Sequence, residues 1–176
     1  MYTCAITGHR PTRFAFKYQE TDSRCKRLKN RLREQFIFLY TQGVRRFLVG
    51  GALGVDQWSG ETLLKLQLEQ EYHNLELVVA LPFQGHDKRW DERSRERLSF
   101  LLQHSTETIV VGDKAWRDSF IKRNRYMVDH ADCLLAVYDN DRSLRSGTGA
   151  TVHYAEKQGK PIIFVHPDTT DVTHSK

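Results

Sequence analysis

Apolar residues gather in six short runs, at 2–7, 46–49, 75–81, 108–111, 133–138 and 161–165. Most of these runs lack the alternation that leaves one face of a sheet wet, so they read as strands buried on both faces, the signature of a parallel sheet covered by helices. Between them the spacing turns helical, over about 21–41, 55–71, 88–103, 115–130 and 148–157. In the first of these segments Cys25, Leu28, Leu32, Phe36 and Leu39 form one apolar stripe, and Arg24, Lys26, Arg27, Lys29, Arg31 and Arg33 fill the remaining positions as a solvated face. Regular alternation of this kind predicts βαβ units with right-handed crossovers. The expected fold is α/β, a doubly wound, mainly parallel six-stranded sheet with helices on both faces. No internal repeat or low-complexity linker interrupts the series, so residues 1–166 are expected to form one domain and the polar residues 167–176 a tail.

Composition narrows the class. A chain of 176 residues, 39% hydrophobic, can fill a core between a sheet and two helix layers. It has no run of about 18 apolar residues, and its amino terminus enters a strand instead of a basic-then-apolar leader, which predicts a cytoplasmic protein with no membrane partner. The three cysteines, Cys4, Cys25 and Cys133, are odd in number and lack CxxC spacing, and the eight histidines show no HExxH pattern. Neither a disulfide nor a metal site is expected. The formal charge of +5 and pI of about 9.2 favour anionic partners, phosphates or nucleic acid, although mildly, because much of that charge lies on the first helix.

In a parallel sheet every strand-to-helix loop opens on the same edge, and ligands bind where the strand order reverses. The first loop, Thr7-Gly8-His9-Arg10-Pro11, is not a GxGxxG turn, which disfavours an ordinary NAD dehydrogenase. Gly8 would allow close backbone approach and Arg10 would offer a planar donor to phosphate; equally, Gly8 can be a simple turn and Arg10 solvated. The second loop, residues 50–56, places Gly50, Gly51 and Gly54 ahead of a helix, where free N–H groups could face an anion. Asp56 and Glu61 follow it as candidate carboxylates, and Trp58 as a surface for a base, with helix capping and packing as the plainer alternatives. Pro82 and Phe83 end the third strand on the same edge. Residues 146–151 form a second small-residue helix start in which Gly147, Thr148, Gly149 and Thr151 could cradle phosphate. Asn124 falls on the stripe Phe120, Met127, Ala131 as a polar group turned inward, and Asp139 could meet a ribose hydroxyl or start a turn.

The segments TGHRP at 7–11, GGALGVDQWSGE at 50–61, ALPF at 80–83, RNRYMVDHAD at 123–132, LLAVYD at 134–139 and SGTGATVHYA at 146–155, taken in order, resemble the YpsA-like branch of the SLOG superfamily. The resemblance implies a Rossmann-like SLOG domain related to DprA and to the LOG phosphoribohydrolases, which bind nucleotides, nucleotide derivatives or nucleic acid. LOG enzymes carry a PGGxGTxxE motif whose glutamate assists cleavage between base and ribose. Matching its last glycine to Gly149 puts Ala150 at the threonine and His153 at the glutamate, so the catalytic carboxylate is missing there. The leading expectation is binding or sensing of a nucleotide-like ligand, with no certain cofactor. Alternatives are a nucleotide-processing hydrolase using Asp56 or Glu61, and DprA-like binding of single-stranded DNA. A homodimer is expected from the resemblance and from the prevalence of twofold oligomers.

Overall fold

The computed structural model describes residues 2–113 and 117–175, with the backbone alone at Arg117. Its strands and helices alternate as the hydropathy pattern requires: β1 (Tyr2–Gly8), α1 (Ser23–Thr41), β2 (Val44–Val49), α2 (Val55–Gln67), β3 (Glu76–Leu81), α3 (Glu92–His104), β4 (Glu107–Val110), α4 (Arg117–Asp129), β5 (Cys133–Val137), α5 (Gly147–Lys157), β6 (Ile162–Val165) and β7 (Val172–His174). The start of the fourth helix expected at Ala115 and the middle of the 112–117 loop lie outside the described residues. All strands join one sheet in the order β4-β3-β2-β1-β5-β6-β7. The first six are mutually parallel, and β7 runs antiparallel to β6, pairing Val172 with Val165 and His174 with Ile163.

The sheet thus has seven strands where the apolar runs predict six. The added strand comes from the segment read as a polar tail. Three residues, two of them exposed, are too few to register as a buried run, and the strand is held by ladder bonds on the sheet edge. Thr170, just before it, is buried, so the segment is docked on the sheet edge.

The two faces of the sheet carry different helices because the chain reverses direction after β4. Cys25, Leu28, Leu32 and Phe36 of α1, Trp58 and Leu63 of α2 and Leu98 and Leu101 of α3 pack with Ile6, Phe47, Val49 and Leu77 on one face. Met127, Val128 and Ala131 at the end of α4 and Val152 and Ala155 of α5 pack on Ala5, Leu48, Val78 and Leu134 on the other. The reversal places β1 beside β5, with Cys4 opposite Cys133 and Gly8 opposite Val137. A crevice at the carboxyl ends of these two strands is the position that doubly wound sheets use for ligands. No helix among the described residues is long and apolar enough to cross a membrane.

Candidate ligand cleft at the β1–β5 crossover

A cavity of about 350 Å³ occupies that crevice. Its floor is apolar, from Ala5, Ile6, Leu134, Met127 and Val128, and its rim is polar, from Thr7, His9, Arg10, Arg13, Asp56 and Asn124 together with Ser146, Gly147, Thr148 and Thr151. The first turn of α5 forms one end. The Ser146 hydroxyl caps the helix by accepting from Gly149 N–H at 2.9 Å, which leaves the N–H groups of Gly147 and Thr148 without carbonyl partners inside the helix and at the positive end of its dipole. Thr151 Oγ1 is spent on Gly147 O at 2.8 Å. Opposite stands Arg10, exposed at the end of the first loop with its guanidinium 6.0 Å from the Phe120 ring centroid.

One wall is a buried ion pair. Arg123 projects from α4 toward the second loop, where it donates to Gly50 O, lies 3.4 Å from Ala80 O and stands 3.8 Å from Asp56 Oδ2. Asp56 also accepts from Ala52 N–H at 3.2 Å. Burial raises the Asp56 pKa above the usual carboxylate value even though Arg123, Ala52 N–H and Arg10 pull the other way. Burial likewise lowers that of Arg123, against the pull of Asp56. Arg123 Nε donates to the carboxamide oxygen of Asn124 at 2.7 Å, which orients that side chain on the cleft wall. His9 is buried against Phe14 and Tyr138. Burial and the adjacent Arg13 lower its pKa, so its ring is neutral near pH 7. Its Nε2 is buried without a hydrogen-bond partner among the described residues.

The structure brings Thr7, Gly8, His9, Arg10, Asp56, Asn124, Gly147, Thr148 and Thr151 together around this cavity. It places the other expected residues elsewhere. The glycines of the second loop serve packing more than anion exposure. A Cβ on Gly50 would fall on the Arg123 guanidinium, Gly51 lies under Leu81 and Val79, and Gly54, at φ +87°, brings α2 so close to the first loop that a side chain would strike His9 O at 2.6 Å. Gly8 is demanded by a similar approach to Val55, and Gly149 sits against Tyr138 Oη. Trp58 is fully buried on the opposite face, 5.4 Å from the ring of Phe14 and 5.8 Å from that of Phe16, and cannot reach a base. Glu61 is bound by Arg97 at 2.7 and 2.8 Å in a network with Glu20 and Lys29, again on the far face. Pro82 is buried and Phe83 packs edge-on against Phe120. Asp139 pairs with Arg13 and accepts from Asp141 N–H at 3.1 Å, which is the turn-starting alternative. His153, at the position of the absent catalytic glutamate, is exposed and 3.7 Å from Glu156, outside the cleft.

Arg123, Arg13 and Ser146 are the contributors that sequence reasoning did not single out. Arg123 lies three positions after Phe120 and four before Met127, so a charge on the inward stripe of an amphipathic helix was the available signal.

Comparison with known proteins bears on the family and the fold. The sequence model described as the YspA SLOG family, YpsA, matches residues 4–170. The UPF0398 protein YpsA of Bacillus subtilis (strain 168) is 27% identical over 177 residues, spanning 98% of this chain and 97% of its own. A UPF0398 protein of Bacillus cereus (strain ATCC 14579) is 28% identical over 145 residues, 81% of this chain and 77% of its own. Among solved structures, DNA processing protein A from Helicobacter pylori, described for its single-stranded DNA binding mode, superposes with a TM-score of 0.60 at 21% identity. The match covers 93% of this chain and 64% of that one, and it establishes a shared fold. With a family match running over nearly its whole length, on a doubly wound sheet of the same fold, this chain belongs to the YpsA family of SLOG proteins.

Proposed function

We propose that the chain binds a nucleotide or nucleotide-derived ligand in the β1–β5 cleft, with a phosphate at the start of α5 and the base over the apolar floor. The observation that carries this reading is the meeting, in one 350 Å³ cavity, of the Gly147–Thr148 helix start, the Arg10 guanidinium and an apolar bed of Ala5, Met127 and Val128. Helix N-termini and guanidinium groups complement phosphate, and an apolar surface complements the face of a base. The unpartnered His9 Nε2 supplies a further polar group that a ligand could satisfy.

Hydrolysis of the base–ribose bond rests on one residue in this cleft, Asp56, since Glu61 and His153 lie away from it. Asp56 is committed to Arg123 and Ala52 N–H, which suits a wall more than a base that must turn toward water. The cleft therefore suits binding without turnover. Calorimetric titration with a panel of nucleoside monophosphates and ADP-ribose derivatives, followed by chromatography for free base, tests it. Saturable binding with the ligand recovered intact is expected. Absence of binding across the panel, or release of free base by the wild-type chain, contradicts it.

A further inference from the structure

The cleft continues into a second trough. Phe120, Asn124, Gly147 and Thr151 line the β1–β5 cavity and also a groove of about 360 Å³ that runs outward between α4 and α5. The groove is lined by two aromatic side chains, Phe120 and Tyr154, and two cationic ones, Arg125 and Lys157, among other residues. Tyr154 is half-buried with the Arg125 guanidinium 5.3 Å from its ring centroid, and Lys157 lies one turn beyond His153 on α5. Arg125 and Lys157 are exposed and have no ion-pair partner among the described residues. Of the carboxylates on the two helices, Glu156 is paired with Arg142 at 2.6 Å, and Asp129, four positions after Arg125, accepts from the Tyr154 hydroxyl at 2.8 Å. The trough therefore carries a half-buried tyrosine beside a guanidinium and two exposed cations that make no ion pair among the described residues, and it leads directly out of the β1–β5 cavity.

We infer that this groove holds the next nucleotide of a single strand, so that the ligand class is an oligonucleotide whose terminal unit occupies the cleft and whose following base stacks at Tyr154, its phosphate reaching Arg125 and Lys157. The inference rests on the nucleotide reading of the cleft. Its physical basis is general: aromatic faces accept any base, guanidinium planes stack as well as pair, and a positive track follows the backbone. The continuity of the two cavities through Phe120 and Asn124 favours one strand crossing both over two separate ligands.

The test is a titration of the full chain with 5′-phosphorylated thymidine oligomers of one, two and four nucleotides at fixed salt. The dimer is expected to bind at least about fivefold more tightly than the monomer, the lower end of what one base stacked on an aromatic side chain contributes. The double variant Arg125→Glu/Lys157→Glu should remove that gain while leaving monomer binding within about twofold, and should flatten the salt dependence of dimer binding. Tyr154→Phe should keep the gain, which separates stacking from the Asp129 contact. Equal affinity for monomer and dimer overturns the inference while leaving the cleft reading intact. Failure of every oligomer, the monomer included, overturns both. If native mass spectrometry instead shows a dimer of the chain that the double variant dissociates, the groove is a contact between copies and the inference falls.

Discussion

Arg123 holds three chain segments at one point: its guanidinium bonds the carbonyl of Gly50 after β2, approaches that of Ala80 in β3 and stands 3.8 Å from the Asp56 carboxylate on α2. Both charged side chains are more than nine-tenths buried. A guanidinium in that setting is tolerable only because its partners satisfy it. Removing Asp56 leaves the cation buried without its anion.

Asp56→Asn should therefore destabilise the fold by about 3–5 kcal/mol, the usual cost of breaking one side of a buried pair, even though the amide can still accept from Ala52 N–H. Pairing it with Arg123→Met should recover part of the loss, because the second change removes the stranded charge. A double-mutant cycle by urea denaturation checks this. Additive losses would mean that the two side chains do not act as a pair.

Gly50 and Gly147 should respond in opposite ways to alanine. The added methyl at Gly50 lands on the Arg123 guanidinium, whereas at Gly147 it meets nothing within 4 Å. Gly50→Ala is expected to cost about 2–3 kcal/mol through overpacking of a charged group that has nowhere to move. Gly147→Ala should stay within about 0.5 kcal/mol. Thermal melts of the two variants decide it, and equal melting temperatures would contradict the packing described for the second loop.

The sequence exposed the alternation of strands and helices because parallel-sheet strands are continuous apolar runs and the helices carry full stripes, as α1 does from Cys25 to Leu39. From that alternation the strand edge followed, and with it the expectation that Thr7, Arg10, Asp56, Asn124 and Thr148 would share one cavity, and the structure brings them together. The glycines were harder to read. A glycine that admits a phosphate and one that admits a neighbouring segment look the same in sequence, and at Gly50, Gly51 and Gly54 the neighbour is Arg123, Leu81 and the first loop. Trp58 and Glu61 share α2 with Asp56, but helical rotation carries them to the opposite face, against Phe14 and Arg97. Arg123 finds partners 73 and 43 positions away, a relation that only the folded chain displays.

Acid should weaken the far-face network in a defined window. Burial works against the Glu20 charge, but Arg97 and Lys29, each 2.5 Å away, win and hold its pKa down to about 2 from an ordinary value of 4.5. A carboxylate depressed in the folded state stabilises it above the unfolded pKa and loses that contribution as pH falls through the folded one. The stability gap between wild type and Glu20→Gln should accordingly be full above about pH 5 and close between pH 4.5 and 2. Denaturation midpoints across that range give the answer, and a gap independent of pH would show that Glu20 acts by packing alone.

Arg10 is exposed and makes no ion pair among the described residues, so its removal should leave the fold unchanged within about 0.5 kcal/mol. If it meets phosphate, Arg10→Ala should weaken the binding of a cleft nucleotide by about 1.5–3 kcal/mol, as expected for a hydrogen bond to a charged group. Calorimetry on wild type and variant with the same nucleoside monophosphate measures the difference, and unchanged affinity would take Arg10 out of the site.

The most direct test of the account is the position of the phosphate in a crystal structure of the chain with the tightest-binding nucleoside monophosphate from the panel. Phosphate oxygens within hydrogen-bond distance of Gly147 N–H, Thr148 N–H and Arg10, with the base over Met127 and Val128, are the predicted result. A nucleotide seated on any other part of the sheet edge, or with its phosphate turned away from the start of α5, would contradict it.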